Sequence, residues 1–378
     1  DDNATLEGSN NLAIFGSLAA GNCTWVFDGE TQFDGGNITN TITINSVLTG
    51  SVSFIGDGEW TLNTNITVAN NLELFKGKLH VNGNRLTVGQ FVSTSTYNRE
   101  LDLLNSNVDI TDGVSRSWNI SGSNFTLISN NSEIRFLSDG AELYNNSSDF
   151  IIYGRVVFNF PDGQTFLTNE GFEPTFESLE FKGNAKLFGN HQFDQLIFTK
   201  GKSYLFNVGS KQKITKADGL IAHGTCSEYI SFKGENGVAY FDCDVSSSDL
   251  YRLRIEDVNV IGGIGSLTAN ESIGISGYDG WVFPDDLTGG TVYWTGNIDN
   301  DWFKAGNWLG GCLPNRKDVV IFEDAKVLNS YEVNISKKGS SAECLDMIWT
   351  NANLMSFTGD QPICIFGSLD FSGMVNVN

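Results

Sequence analysis

Three tryptophans and two aspartates lie within residues 294–308, which read WTGNIDNDWFKAGNW. An indole ring can stack on the C–H face of a pyranose, so Trp294, Trp302 and Trp308 are candidates for a sugar-binding platform. The alternative is that these rings cover the apolar end of a stack of strands, because an open end exposes both core and strand edges. We favour the second interpretation and keep the sugar site as the alternative.

Asp299 and Asp301 flank Asn300 in the same stretch. They supply hard oxygen ligands two residues apart, as calcium loops do. The chain has neither the EF-hand pattern D-x-[DN]-x-[DN]-G nor the glycine-rich calcium nonapeptide, and runs of Asp and Asn commonly form turns. We therefore expect no required cofactor, with calcium at Asp299 and Asp301 as the alternative to a plain turn.

Carboxylate pairs elsewhere raise the question of polysaccharide cleavage, which needs two carboxyl groups roughly 5 to 9.5 Å apart, one of them protonated. Cys243 lies between Asp242 and Asp244, and this order indicates two solvent-facing acids around an inward thiol. No G-x-S-x-G motif is present, and of the three histidines we interpret His80 and His191 as surface residues. We predict no catalytic residue and no enzyme. The pairs are Asp242 with Asp244, Glu256 with Asp257, and Asp285 with Asp286.

Six cysteines are present, none in a C-x-x-C motif, which argues against a zinc site. In an exported chain, disulfides are the expected state. Cys226 and Cys243 flank two short predicted strands and form our first predicted pair, and Cys312 with Cys344 forms the second. The alternative is buried free thiols on stacked strands. The full set is Cys23, Cys226, Cys243, Cys312, Cys344 and Cys364.

The elements that must position these residues are short strands. Apolar and polar residues alternate in runs of three to five, separated by turns rich in Gly, Asn and Asp. Such closely spaced strands predict an all-β, right-handed parallel β-helix with coils of roughly 20–25 residues. The abundant Phe predicts a core of stacked rings, and a tandem of β-sandwich modules is the alternative. Runs with this alternation include 42–44, 52–54, 66–68, 72–74, 79–81 and 86–88.

The composition changes near residue 290. A Gly-rich stretch with Pro284 precedes it, and a new alternating series begins at 318–322. We predict a parallel β-helix over 1–290 and the start of a second β-solenoid module over 291–378. The chain ends within strand-like sequence and opens without a signal peptide, so we expect a truncated piece of a longer protein whose leader has been removed.

Charge narrows the classes of partner. Lys and Arg total 23 against 45 Asp and Glu, a formal charge of −22. No basic stripe is available to bind phosphate or an anionic lipid surface, and no apolar window is long enough to span a bilayer as a helix. We therefore expect no nucleic acid partner and no membrane insertion. A polar surface dominated by Asn, Ser, Thr and Gly is typical of extracellular β proteins.

The second half of the chain resembles a known family. WTGNIDNDWFKAGNWLGGCLPNRKDVVIF fits the module opener W-x-G…W…NW…P…DVVI of very large secreted and cell-surface proteins of Bacteroidota, and Cys344 before LDMI fits the strand that follows. Many of these proteins are cargo of the type IX secretion system and are related to gliding-motility adhesins. The opener is carried by Trp294, Gly296, Trp302, Asn307, Trp308, Pro314, Asp318, Val319, Val320 and Ile321.

The segment before the opener resembles the closing coils of the same modules. LTANESIGISGYDGWVF fits the closure A-x-x-S-x-x-x-G-x-x-GW-x-F, although residues 272–275 replace its usual Asp- or Gly-rich stretch. The resemblance is close over about residues 200–378, and residues 1–200 share only the general strand and turn pattern. It implies an exported, surface-displayed β-solenoid and does not specify a ligand.

These observations predict a secreted, cell-surface adhesin or scaffold segment without catalysis, linked to attachment or gliding motility. Its expected partners are surface glycans or other cell-surface proteins, with the secretion or motility machinery as a further partner. The alternatives are a polysaccharide-active β-helix enzyme, either lyase or glycosidase, and a passive cargo or accessory subunit of a secretion complex.

Overall fold

The computed structural model describes residues 4–21, 23–36, 38–284, 289–336 and 341–373. The chain is all-β, with 2% helix, and its parallel strands stack into a β-solenoid of about 16 turns. This confirms the fold predicted from the alternation. Paired strands of the long stack are mostly 17 to 28 residues apart along the chain, because each coil runs through three strands before it returns to the same position.

The three strands of a coil define three faces, which we call A, B and C in chain order. Four strands bend around a corner and serve two faces: Ile66–Leu74 and Arg85–Ser93 run from C into A, and Ile152–Phe158 and Thr175–Phe181 run from B into C. The remaining strands of face A are Leu12–Ile14, Thr31–Phe33, Val52–Phe54, Trp118–Gly122, Glu142–Ser147, Gln164–Asn169, Asn184–Phe188, Ser203–Asn207, Ile230–Glu235, Leu253–Glu256 and Ile273–Ser276.

Faces B and C are built in the same way, strand upon strand in parallel register. Face B contains Leu18–Gly21, Thr39–Ile44, Glu59–Leu62, Gly77–His80, Arg99–Asp102, Phe125–Ile128, His191–Phe193, Lys211–Ile214, Ala239–Cys243 and Val258–Ile261. Face C contains Thr5–Gly8, Thr24–Phe27, Asn107–Ile110, Glu133–Phe136, Leu196–Phe198, Leu220–His223, Leu250–Tyr251, Leu267–Thr268 and Trp281–Val282.

A second stack follows. Its largest sheet pairs Thr291–Tyr293, Val319–Phe322, Asp346–Thr350 and Leu369–Gly373. Two further pairs are Glu332–Ile335 with Ser356–Gly359 and Ala342–Cys344 with Ile363–Ile365, and two 3₁₀ turns cover Ala305–Asn307 and Asp324–Lys326. The buried apolar residues form two clusters, one extending to Trp281 and the other starting at Trp294.

Stacked aromatic rings form much of the long core, as predicted. Parallel register places the same inward position of successive coils one strand spacing apart, about 4.8 Å. Phe158 accordingly stacks between Phe136 and Phe181, with centroid distances of 4.5 and 5.0 Å. Phe176 stacks between Tyr153 and Phe193 at 4.8 and 5.4 Å. Dispersion between these rings adds to the burial of their apolar surface.

Candidate functional site

The stretch 294–308 forms a loop organised by Asn307, whose side chain is fully buried. Its Oδ1 accepts hydrogen bonds from the backbone N–H groups of Ile298 (2.8 Å) and Asp299 (3.0 Å). Its Nδ2 donates to Asp299 Oδ1 and to the carbonyl oxygen of Asp301, both at 2.8 Å. Every hydrogen-bonding position of this amide is therefore used inside the loop.

Asp299 and Asp301 hold the loop in shape. Asp299 Oδ1 accepts from the N–H of Asp301 at 3.0 Å, and its Oδ2 pairs with Lys304. The hydrogen bonds from Lys304 and Asn307 lower the pKa of Asp299 to about 2. Asp301 Oδ1 accepts from the N–H of Phe303 at 2.9 Å. These bonds are those of a turn, and the described residues contain no group of three or more His, Cys, Asp or Glu suited to a metal ion.

The three tryptophans of the loop lie in the core of the second stack. Trp294, Trp302 and Trp308 are at most 2% exposed. Trp308 contacts the other two edge to face, with centroid distances of 5.0 Å to Trp294 and 4.6 Å to Trp302. Its Nε1 donates to the Trp302 carbonyl at 2.8 Å, and Trp294 Nε1 donates to the Ser330 carbonyl at 2.9 Å. Rings placed in this way offer no face to a sugar and pack as core.

The disulfide differs from both predicted pairs. Cys226 bonds to Cys312, 86 residues later, so the predicted pairs Cys226–Cys243 and Cys312–Cys344 are wrong. Cys226 lies in a turn at the end of face C, whereas Cys243 points inward from face B and is 1% exposed. The corner between faces C and A, where Cys226 lies, is opposite face B, so these two residues do not meet. The bond instead connects a turn of the long stack with a loop of the second.

Cys243 and Cys344 are buried free thiols on strands, which was the alternative interpretation of the cysteines. Burial raises the pKa of each thiol to about 12, with nearby carboxylates adding to the effect. Both are therefore protonated and unreactive in the folded chain. The other two free cysteines, Cys23 and Cys364, are partly exposed.

A second contact between the two stacks is an ion pair. Arg254, on the outer side of face A, forms an ion pair of 3.0 Å with Glu343 of the second stack, whose side chain is 13% exposed. The ion pair and the disulfide together tie the last coils of the long stack to the second stack at two places.

Three described members of the carboxylate pairs identified in the sequence each bond to a different partner. Asp244 Oδ1 accepts the Gly263 N–H at 2.8 Å, and Glu256 binds Lys233 at 2.7 Å. Asp257 lies in the turn that follows, where its Oδ1 bonds Ser276 Oγ at 3.0 Å. Asp242 and Asp244 flank the inward Cys243 as predicted. Asp285 and Asp286 lie outside the described residues.

His80 and Asp102 form a pair on the outer side of face B. The His80 Nδ1 is 3.0 Å from Asp102 Oδ2, and Asp102 Oδ1 accepts the Leu104 N–H at 2.9 Å. They line a shallow groove of about 400 Å³ together with Glu59. A hydrogen bond from Lys78 lowers the pKa of Glu59, which is opposite to what a general acid in glycoside cleavage needs.

His191 is not the surface residue that the sequence suggested. It begins a strand of face B and is fully buried, with its ring tilted against those of Phe176 and Phe193. Its Nδ1 contacts Gln212 Oε1 at 3.0 Å, and its Nε2 has no hydrogen-bond partner. Burial lowers its pKa to about 4, so the ring is neutral near pH 7. The alternation that places Phe193 inward also places His191 inward, and this signal was present in the sequence.

Charged side chains on the outer side of face C pair with the next coil. Asp109 binds Arg85 at 3.1 Å and Arg135 at 2.6 Å. Arg155 binds Glu133 at 3.1 Å and Glu180 at 2.7 Å. Parallel register places Arg135 opposite Asp109 and Arg155 opposite Glu133, and the other two pairs cross diagonally between neighbouring strands, so the ion pairs run along the stack and connect one coil to the next.

No family model matches the chain. Neither a curated protein nor a solved structure matches it either. Within the described part of the chain, no helix has the length and apolarity needed to cross a membrane.

Proposed function

We propose that this chain is a non-catalytic rod segment of an exported bacterial cell-surface protein, acting in attachment or as a scaffold. The observation that carries the proposal is the β-solenoid of about 16 turns, in whose long stack outward ion pairs such as Asp109 with Arg135 connect neighbouring coils. Such a stack is an extended, laterally uniform object, which suits the display of binding surfaces away from a cell. The resemblance to secreted and surface proteins of Bacteroidota supports the same role.

The candidate carboxylates support binding or scaffolding over cleavage. Glu256 is paired with a lysine, and Glu59 is stabilised in its charged form by Lys78. A general acid would need the opposite environment, one that raises its pKa. The groove beside His80 and Asp102 is where an enzymatic alternative would have to act.

The test is location and attachment in the cells that produce the protein. Antibodies raised against the folded chain are applied to intact and permeabilised cells, and a strain lacking the gene is compared for attachment to surfaces. We expect equal labelling before and after permeabilisation, and weaker attachment of the deletion strain. Labelling only after permeabilisation would overturn the proposal.

A further inference from the structure

Exposed aromatic side chains of the long stack share one corner. Within the described part of residues 4–284, every exposed Phe, Tyr or Trp lies in or beside a turn between face A and face B. Exposed apolar residues scattered singly need no explanation, whereas a contiguous set indicates a binding surface. The six residues are Phe15, Phe75, Tyr97, Phe150, Phe172 and Tyr278.

Four of these residues form two pairs on consecutive coils, and we call Phe75, Tyr97, Phe150 and Phe172 the aromatic ridge. Phe75 and Tyr97 are 36% and 50% exposed, with ring centroids 5.3 Å apart. Phe150 and Phe172 are 57% and 54% exposed, with centroids 6.0 Å apart. One coil, with Asn124 at its turn, separates the pairs, so they lie about 10 Å apart along the stack.

A buried arginine fixes the turns at the first pair. Arg99 is 2% exposed and has its guanidinium under the corner. It donates to the carbonyl oxygens of Tyr97 (3.2 Å), Ser121 (3.2 Å) and Ser123 (2.8 Å). One side chain therefore holds the turn that carries Tyr97 and the turn of the next coil.

Buried asparagines fix the turns at the second pair. Asn145 Nδ2 donates to Asn169 Oδ1 at 2.8 Å and to the Phe172 carbonyl at 3.0 Å. Asn169 Nδ2 then donates to the carbonyl of Asn190 in the following coil at 2.9 Å. Rings attached to turns held in this way lose little freedom when a ligand binds, which favours affinity.

The surroundings of the ridge indicate the class of ligand. The exposed polar neighbours carry hydroxyl and amide groups. The nearest charges are the carboxylates of Asp149 and Glu170 at the second pair and the ammonium of Lys76 at the first, which lies 5.0 Å from the Tyr97 ring centroid and is neutralised by Asp57. Carboxylates and a net charge of −22 oppose anionic polymers and anionic lipid. Rings with hydroxyl and amide partners suit uncharged sugars, and their repetition along the stack suits an extended chain of them. The exposed polar neighbours are Thr94, Thr96, Asn98, Asn124, Asn146 and Ser148.

We propose that the aromatic ridge binds an extended, uncharged polysaccharide lying parallel to the solenoid axis. This inference rests on the proposed function as a surface segment, and it names both the ligand class and the residues that contact it. The sugar-binding surface is then on the long stack and not at the tryptophans of the second.

The experiment is affinity electrophoresis of the whole chain in gels containing hydroxyethylcellulose, xyloglucan or galactomannan, with polygalacturonate as the anionic comparison. We expect retardation by at least one neutral polymer and none by polygalacturonate. The double variant Phe150→Ser with Phe172→Ser will weaken binding by about tenfold or more, since two stacking contacts are lost. Phe75→Ser with Tyr97→Ser tests the other pair independently.

The matched control is Val47→Ser with Val114→Ser, which removes two exposed apolar side chains at the other two corners and will leave retardation unchanged. Unaltered thermal unfolding of each variant confirms folding. No retardation by any neutral polymer, or retardation that both ridge variants keep, overturns the inference. The inference is also overturned if the ridge variants lose self-association and not polysaccharide binding, because the ridge would then contact a second copy of the chain. The proposed function is judged separately by labelling of intact cells.

Discussion

Asn307 Nδ2 lies 2.8 Å from Asp299 Oδ1, and this hydrogen bond joins the two most informative polar residues of the tryptophan loop. Both residues are fully used in shaping the loop over the three buried rings. Asp299 therefore acts as an acceptor in a turn, and the stretch that most suggested chemistry in the sequence is a structural joint.

Replacing Asn307 with Leu will destabilise the second stack. The variant leaves the N–H groups of Ile298 and Asp299 and the carbonyl of Asp301 without their buried partner. We expect a loss of about 3 kcal/mol in the free energy of unfolding, measured by denaturant titration. Asn297→Leu, at an exposed asparagine of the same loop, will change it little. Equal stability of the two variants would contradict the role given to Asn307.

Calcium will leave the thermal unfolding midpoint unchanged relative to EDTA. The carboxylate oxygens of Asp299 already accept hydrogen bonds from Asp301, Asn307 and Lys304, and its pKa of about 2 reflects those bonds. Differential scanning fluorimetry in both buffers measures this. A midpoint that rises with calcium in the wild type and does not rise in Asp299→Asn would show that the loop binds calcium.

All eight tryptophans are buried, with Trp281 the most exposed at 7%. The native chain will therefore show blue-shifted emission and weak quenching by acrylamide, and both properties will reverse on unfolding. Adding a neutral polysaccharide will not change the quenching, because the ridge contains no tryptophan. A ligand-induced change in native emission that Trp302→Phe abolishes would instead place the binding site at Trp294, Trp302 and Trp308.

Stability will depend on pH through His191. Its pKa is about 4 in the folded chain against 6.5 as the ordinary value, so the unfolded chain binds more protons between these values. The stabilisation is complete above pH 6.5 and falls as the pH drops towards 4, by about 3 kcal/mol in all. Urea titrations across this range will show a shallower fall for His191→Gln. An identical fall in both proteins would mean that other groups cause it.

Breaking the Cys226–Cys312 bond will destabilise the chain. A bond that closes an 86-residue loop contributes about 4.6 kcal/mol in the chain-entropy description. Cys226→Ser with Cys312→Ser will therefore unfold at lower denaturant, and Cys23→Ser with Cys364→Ser, which removes two free thiols, will not. Peptide mapping without reductant reads the connectivity directly, and a cross-link between Cys226 and Cys243 would contradict the structure.

The sequence was sufficient for the architecture because alternation is a local signal. Phe136, Phe158 and Phe181 each lie at an inward position of a short strand, and in-register stacking follows once coils are parallel. His191 was misread because its loop-like neighbours Gly189 and Asn190 outweighed the alternation with Phe193. The contact of Cys226 with Cys312 depends on how two stacks meet, which no local pattern encodes.

The aromatic ridge could be recognised only from the alignment of the coils in the structure. Phe75, Tyr97, Phe150 and Phe172 are separated by irregular intervals in the chain, because coil lengths vary between their turns. Only the register of the strands shows that all four occupy the same corner. The burial of Arg99 at the first pair could not be predicted either, because an isolated Arg before a strand usually lies on the surface.

Polysaccharide binding without cleavage is tested in one assay that measures both. The whole chain is incubated with each neutral polysaccharide and with polygalacturonate, and retained protein and newly formed reducing or unsaturated ends are measured in the same samples. We predict retention on a neutral polymer with no new ends after prolonged incubation. New ends that accumulate with time, and disappear when His80 and Asp102 are replaced by alanine, would contradict the account and assign the groove a catalytic role.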